Sequence, residues 1–220
     1  MSRKAPFIVA VDGPAASGKT TLARRLAAHF DLAFLDTGLL YRAVARRLLD
    51  QGRPFEDEPT AVAAAAAIGA AELDAPGLRD ERVSQGASKV AAIPAVRRAL
   101  LACQRHFGEG GRGAVLAGRD IGTVVRPDAR CKIFVTASAE ERARRRCEEL
   151  RANGVASIYE RVLQDLRERD VRDQSRAVAP LLPAGDAFVI DTTEKDIETA
   201  FAIARAYVAG AARRSPCRPA

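Results

Sequence analysis

Aromatic residues make up only 5% of this 220-residue chain. Proteins that hold single-stranded nucleic acid interleave aromatic rings with a basic stripe. Here the net charge of +7 comes with few rings, and acidic residues stand among the arginines throughout 140–173. A basic nucleic-acid-binding ATPase is therefore a weaker reading than an enzyme for small anions. No eighteen apolar residues run together, which excludes a membrane-spanning helix. Met1-Ser2-Arg3-Lys4-Ala5-Pro6 leads straight into an apolar run, so no secretory signal is expected. The expectation is a cytoplasmic protein, acting as a monomer without nucleic acid or membrane partners.

Cys103, Cys131, Cys147 and Cys217 have neither metal-ligand spacing nor the density of a disulfide framework, and Cys131 is expected in a core strand. His29 and His106 lie in helical patterns with no carboxylate partner in view, and read as surface or packing residues. No internal repeat is visible, and the guanine-reading N-K-x-D of switch GTPases is absent.

What is present begins with Gly13-Pro14-Ala15-Ala16-Ser17-Gly18-Lys19-Thr20 behind the apolar run Phe7-Ile8-Val9-Ala10-Val11. It fits G-x-x-x-x-G-K-[ST], the phosphate-binding P-loop, in the strand–loop–helix context that motif requires. Glycines at 13 and 18 let successive N–H groups converge on phosphate oxygens at the positive end of the following helix. Lys19 reaches the outer phosphates and the Thr20 hydroxyl suits Mg²⁺. The motif predicts a nucleoside triphosphate site.

Hydrophobic residues at 48% suffice for the core of one domain spanning 1–220. Strands are expected at Phe7–Val11, Leu32–Leu35, Ala114–Ala117, Lys132–Thr136 and Ala187–Ile190, separated by helical patterns. That alternation predicts an α/β fold of P-loop NTPase type, a five-stranded parallel sheet with helices on both faces. Polar residues follow the strand ends, among them Asp12, Asp36-Thr37-Gly38, Gly118-Arg119-Asp120 and Asp191-Thr192-Thr193. Ligands of such sheets gather there. A helical substrate-binding insertion is expected at about 39–108, with helices over the Ala-rich 61–71, then 80–91 and 94–107. An arginine-rich lid is expected at about 139–176, broken at Asn153-Gly154. Glu140 with Arg144 and Glu141 with Arg145 are spaced for i,i+4 ion pairs. The tail from Arg213 to Ala220, with two prolines, is expected to fray.

A small core with its P-loop near the N-terminus, an insertion and a charged lid is the plan of a small-molecule or nucleotide kinase. The chain resembles the bacterial cytidylate kinase family, which phosphorylates CMP and dCMP with ATP. The resemblance rests on Val11-Asp12-Gly13-Pro14 through Thr21, Leu35-Asp36-Thr37-Gly38 with Tyr41-Arg42, and Ala87-Ser88-Lys89-Val90-Ala91-Ala92. It continues through Gly118-Arg119-Asp120-Ile121-Gly122-Thr123-Val124-Val125, Arg169-Asp170 to Arg176, and Val178-Ala179-Pro180-Leu181. It implies that Gly13, Pro14, Ala15, Ala16, Ser17, Gly18, Lys19, Thr20 and Thr21 hold ATP, with Mg²⁺ met by Thr20 through the nucleotide. Arg145 falls in the lid near the nucleotide. Arg42, Arg79 and Arg119 fall on the CMP phosphate and the transferring group. Thr37, Tyr41, Arg169 and Asp173 fall around the pentose, and Ser88, Arg97, Asp120 and Arg176 around the cytosine. Lys19, Arg119 and Arg145 would be the catalytic cations.

A carboxylate can accept from the cytosine N4 amino group while arginines donate to N3 and O2. Uracil would set an acceptor oxygen against Asp120. Two positions carry a second reading: Arg97 as a solvated helix-surface residue, and Asp120 as a Walker-B-type carboxylate beside magnesium. Another small P-loop kinase, for adenylate, shikimate or gluconate, remains the rival function. Two departures from the family pattern stand out. The segment Ala61–Leu78 looks too short and alanine-rich for the small antiparallel sheet of the insertion, and Arg126 replaces an apolar residue.

Overall fold

The structure, a computed structural model, describes residues 6–109 and 111–213. Strand β1 (Ile8–Asp12) is buried along its whole length, as an unbroken apolar run with both faces covered must be. It pairs in parallel with β3 (Ala114–Gly118) on one side and β4 (Cys131–Thr136) on the other. Outside these lie β2 (Ala33–Asp36) and β5 (Phe188–Asp191), giving the order β2-β3-β1-β4-β5 with every pairing parallel. The five strands fall within a residue of the expected runs.

Helices cover both faces. Val9, Val11, Val115 and Ile133 pack against Leu22 and Leu26 of α1 (Lys19–Phe30) and Val208 of α8 (Ile197–Arg213). Leu26 has no solvent exposure, so truncating it to alanine would cost about 2–5 kcal/mol. On the opposite face Ile8, Ala10 and Leu116 meet Ile121, Val125 and Leu101. Cys131 is buried in β4 as expected. His29 packs edge-on against Phe30 and Phe201. His106 is exposed, as expected, but a carboxylate is near: its Nε2 lies 3.9 Å from a Glu109 carboxylate oxygen, because the chain turns back just past the helix end.

Between β2 and β3 lie α2 (Gly38–Asp50), α3 (Glu58–Ala66), α4 (Glu81–Val90) and α5 (Pro94–His106). They build their own apolar core from Leu40, Val44, Leu48, Val83, Val90, Val96 and Leu100. Asp57 caps α3 by accepting from Thr60 N–H at 3.2 Å, and Pro94 opens α5 where its missing N–H costs nothing. The helix expected over 61–71 stops at Ala66 and gives way to a 3₁₀ turn at Ala70–Asp74. Arg47 explains the stop: its guanidinium donates to the carbonyls of Ala64 and Ala67 and pairs with Glu72, whose carboxylate also accepts the Gly69 N–H. The freed helix-end carbonyls are met by a side chain instead of another turn. Arg126 is buried, paired with Asp128 at 2.9 Å and donating to the Arg105 carbonyl, which accommodates a charge where an apolar residue is expected.

After β4, α6 (Ala139–Ala152) and α7 (Tyr159–Gln174) form a hairpin around Ala143, Cys147, Val162 and Leu166, broken after Asn153 by Gly154 at φ +73°. The Glu141–Arg145 pair forms at 2.8 Å. Glu140 instead bonds Arg167 on α7, while Arg144 takes Glu141 and Glu148. Both acids lie within one turn of Arg144 on α6, and Glu140 reaches across to the neighbouring helix. Cys217 and the tail from Arg214 onward lie outside the described residues, as do Met1–Ala5. Among the described residues no helix is long and apolar enough to cross a membrane.

Candidate active site

The loop between β1 and α1 has the shape its glycines predict. A Cβ on Gly13 would fall 2.1 Å from the Val135 carbonyl oxygen, so only glycine fits against β4. Gly18 sits at φ +83° and Ala16 at +59°, the second a left-handed alanine held under strain at the loop's apex. Ser17 Oγ and Lys19 Nζ both donate to the Pro14 carbonyl at 3.1 Å, bracing the loop from inside. No acidic residue lies in the first turn of α1, which leaves its positive end open to an anion.

Beyond the strand ends opens a cleft of about 1070 Å³. Among the described residues, twelve Lys and Arg side chains line it against six Asp and Glu, an excess of six positive charges. Of the residues singled out from the sequence, Gly13, Pro14 and Ser17 form the back of the loop and the rest line this cleft. Lys19 is buried, and desolvation, reinforced by Arg119, holds its ammonium well below the ordinary lysine pKa, with Asp36 opposing.

Asp173, 1% exposed, is the hub of the arginine wall. Its carboxylate accepts from Ser88 Oγ at 2.9 Å and Arg119 Nε at 3.0 Å, pairs with Arg176, and has Arg169 Nε at 3.9 Å. Burial pushes its carboxyl up, but Arg119, Arg176 and Arg169 prevail and hold it at about 2. The wall stays over-charged: burial, with Arg119 adding to it, pulls Arg169 down to about 9, and burial also lowers Arg42 and Arg176. The Nε atoms of Arg42, Arg169 and Arg176 are buried without a hydrogen-bond partner. The surplus of guanidinium groups along the cleft favours an anion there.

Deeper in the cleft Arg97 pairs with Asp120, both side chains under 9% exposed, and the Arg97 guanidinium sits 5.5 Å from the centre of the Tyr41 ring. Arg97 is thus no solvated surface residue, because α5 turns it inward. Asp120 is engaged by Arg97, whereas the carboxylate whose charge bears on Lys19 is Asp36. Thr37 Oγ1 donates to the Ala117 carbonyl at 2.9 Å, fixing the start of α2 to β3. Arg145 is held by Glu141 at 2.8 Å and Thr192 Oγ1 at 3.0 Å, and Thr192 in turn reaches the Ser17 carbonyl at 3.3 Å. Arg145 and Thr21 also border a second hollow of about 530 Å³ beside the P-loop.

Three further residues in or beside the cleft were given no role from the sequence. Asp36 lies 4.0 Å from Arg42 at the end of β2, in a polar strand end that was visible without its role. Arg146 of α6 pairs with Glu81 of α4 at 2.6 Å across the cleft mouth, a contact no local pattern announces. Asp12 accepts the N–H groups of Ile121 and Gly122, each at 2.8 Å. Burial raises its carboxyl to about 7 against the pull of those two donors.

The model of the family described as "Cytidylate kinase" matches residues 9–209. A cytidylate kinase of Methylocella silvestris is 58% identical over 205 residues, covering 93% of this chain and 95% of the relative. One of Brucella ovis is 53% identical over 204 residues, covering 93% of each. Among solved structures, an uncharacterized protein of Eubacterium ventriosum superposes with TM-score 0.52 at 15% identity, over 92% of this chain and 98% of that one. A gluconokinase of Sinorhizobium meliloti gives 0.50 at 16% identity, covering 94% of both, and these two likenesses speak for the fold alone. The matched span contains every side chain that lines the cleft, so the agreement extends over the site as well as the scaffold, and the chain belongs to the cytidylate kinase family.

Proposed function

We propose that the protein transfers the γ-phosphoryl group of ATP to CMP or dCMP, giving CDP or dCDP and ADP. The observation that carries this reading is the buried Arg97–Asp120 pair, set in a cleft whose cations outnumber its carboxylates. An acceptor-only carboxylate beside a guanidinium matches the cytosine edge, whose N4 donates while N3 and O2 accept. Uracil would leave Asp120 facing an oxygen. Ser88 and Arg176 complete the base site, and Thr37, Tyr41, Arg169 and Asp173 surround the pentose. Arg42, Arg79 and Arg119 take the CMP phosphate, the strongest anion the wall would meet.

On the donor side the amides of Gly13 to Thr21 and the helix end cradle the ATP phosphates. The Thr20 hydroxyl and the Asp36 carboxylate, both on the cleft wall, are hard oxygen donors that would hold Mg²⁺ together with phosphate oxygens. When bound, the ion neutralises charge on the outer phosphates. No general base is needed, because the attacking phosphate oxygen is already anionic. Lys19, Arg119 and Arg145 stabilise charge on the transferring group, and their prior fixation by Pro14, Asp173 and Thr192 limits reorganisation during transfer. The α6–α7 hairpin within 139–176 acts as a lid, and the helices within 39–108 form the acceptor-binding insertion. Closure excludes the water that would otherwise take the phosphoryl group.

A coupled ADP-release assay with CMP, dCMP, UMP, AMP, gluconate and no acceptor tests the reading. CMP and dCMP are expected to give the highest kcat/KM. A preference for AMP or gluconate overturns it.

A further inference from the structure

Residues Ile121–Val125 form a single turn of π-helix between β3 and β4, a conformation often found at functional sites. It begins immediately after Asp120. Gly118, just before Arg119, is locked in the sheet opposite Asp12. The Asp12 carboxylate, 5% exposed, then grips the N–H groups of Ile121 and Gly122 at 2.8 Å each. Arg119 and Asp120 are therefore a two-residue span anchored on both sides by the strand that leads into the P-loop. The fit is close: a Cβ on Gly122 would meet Lys132 carbons at 3.2 Å and 3.3 Å and the Asp12 carboxylate at 3.5 Å.

The far end of the turn is held from another direction. Arg105 donates from Nε to the Val125 carbonyl at 3.2 Å and from Nη2 to the Val124 carbonyl at 3.1 Å. Arg126 returns a hydrogen bond to the Arg105 carbonyl at 3.3 Å. Arg105 stands on α5, the helix that also carries Arg97. A closed circuit results: Asp120, the turn, Arg105, α5, Arg97, and back to Asp120. Neither Asp12 nor Arg105 lines the cleft.

We infer that Asp12 and Arg105 are positioning residues for base selection, setting the separation of Asp120 and Arg97 through the turn they clamp. This rests on the proposed cytosine site. Misplacing a recognition group by about 1 Å can cost up to about a hundredfold in rate, and the loss falls hardest on the substrate whose hydrogen bonds the geometry fits. A side chain that merely stabilised the fold would lower turnover for every acceptor alike.

Two variants test it. Asp12→Asn keeps the shape but its amide accepts one N–H and turns a donor toward the other. Arg105→Met keeps the apolar stem and frees both carbonyls; Arg105 is exposed, so folding should survive. The readouts are kcat and KM for CMP and UMP at saturating ATP, the KM for ATP, and the thermal midpoint. Each variant is expected to narrow the CMP-to-UMP ratio of kcat/KM by about fivefold or more through a raised KM for CMP, with the KM for ATP within about twofold. Equal losses for CMP and UMP in a folded variant overturn the inference. Should Asp12→Asn not fold, Arg105→Met decides alone. A wild-type protein with no preference for CMP over UMP would instead refute the cytosine site itself.

Discussion

Two buried carboxylates do different work within one cleft. Asp120 meets a single guanidinium and keeps capacity for another donor, whereas Asp173 is saturated by Ser88 and three arginines. Asp120→Asn is expected to lower kcat/KM for CMP by about ten- to a hundredfold, the worth of one charged hydrogen bond at a buried site, and to narrow the CMP-to-UMP ratio. Kinetics with both acceptors across a Mg²⁺ titration checks this. An unchanged ratio with a shifted Mg²⁺ optimum would assign Asp120 to the metal side. For Asp173 the expectation concerns stability. Its carboxyl, at about 2 in the fold against 3.8 unfolded, contributes about 2 kcal/mol when ionised. That contribution is fully present above pH about 4 and is lost as pH falls through about 2. Urea unfolding between pH 5 and pH 2 should therefore show the wild-type advantage over Asp173→Asn shrinking by about 2 kcal/mol. A constant difference would mean that the arginines do not favour the ionised form.

Among the elements, α6 and α7 show how far a charged sequence can be read. Their arginine density and the break at Asn153-Gly154 were visible, and α6 ends at Ala152, just before that break. Of the pairings only Glu141–Arg145 was visible, because Glu140–Arg167 and Arg146–Glu81 depend on which helix lies opposite. The hairpin has its own apolar core, packed on Ala15 of the P-loop, so it should move as a unit. Amides of 150–162 are expected to exchange more slowly with ATP and CMP both bound than with either alone, as the cleft closes. Hydrogen exchange equally slow in free and liganded protein would rule out its action as a lid. The Ala-rich segment teaches the converse. Helix propensity alone carried the expectation to residue 71, and one long-range arginine ended the helix at Ala66.

Across the whole molecule, the excess positive charge in the cleft makes the free protein electrostatically incomplete. Binding an anionic nucleotide should stabilise it: CMP at a hundred times its Kd adds about 2.7 kcal/mol, or about 5–10 °C in Tm for a chain of this length. Thermal melting with CMP, with UMP and with inorganic phosphate measures this. No shift with CMP would contradict the acceptor site.

The sequence by itself determined the P-loop, the five strands and the arginine supply. Each depends on chemistry within a few residues: a glycine that admits a close approach, an apolar run, a lysine set at the start of a helix. Tertiary structure alone decided the strand order and the long-range side-chain pairings in and around the cleft. Asp120 finds Arg97 at a separation of 23 residues, Ser88 finds Asp173 at 85, and Asp12 finds Ile121 at 109. Such contacts have no local signature, because side chains that far apart meet only where packed helices and a register-locked sheet bring their backbones together.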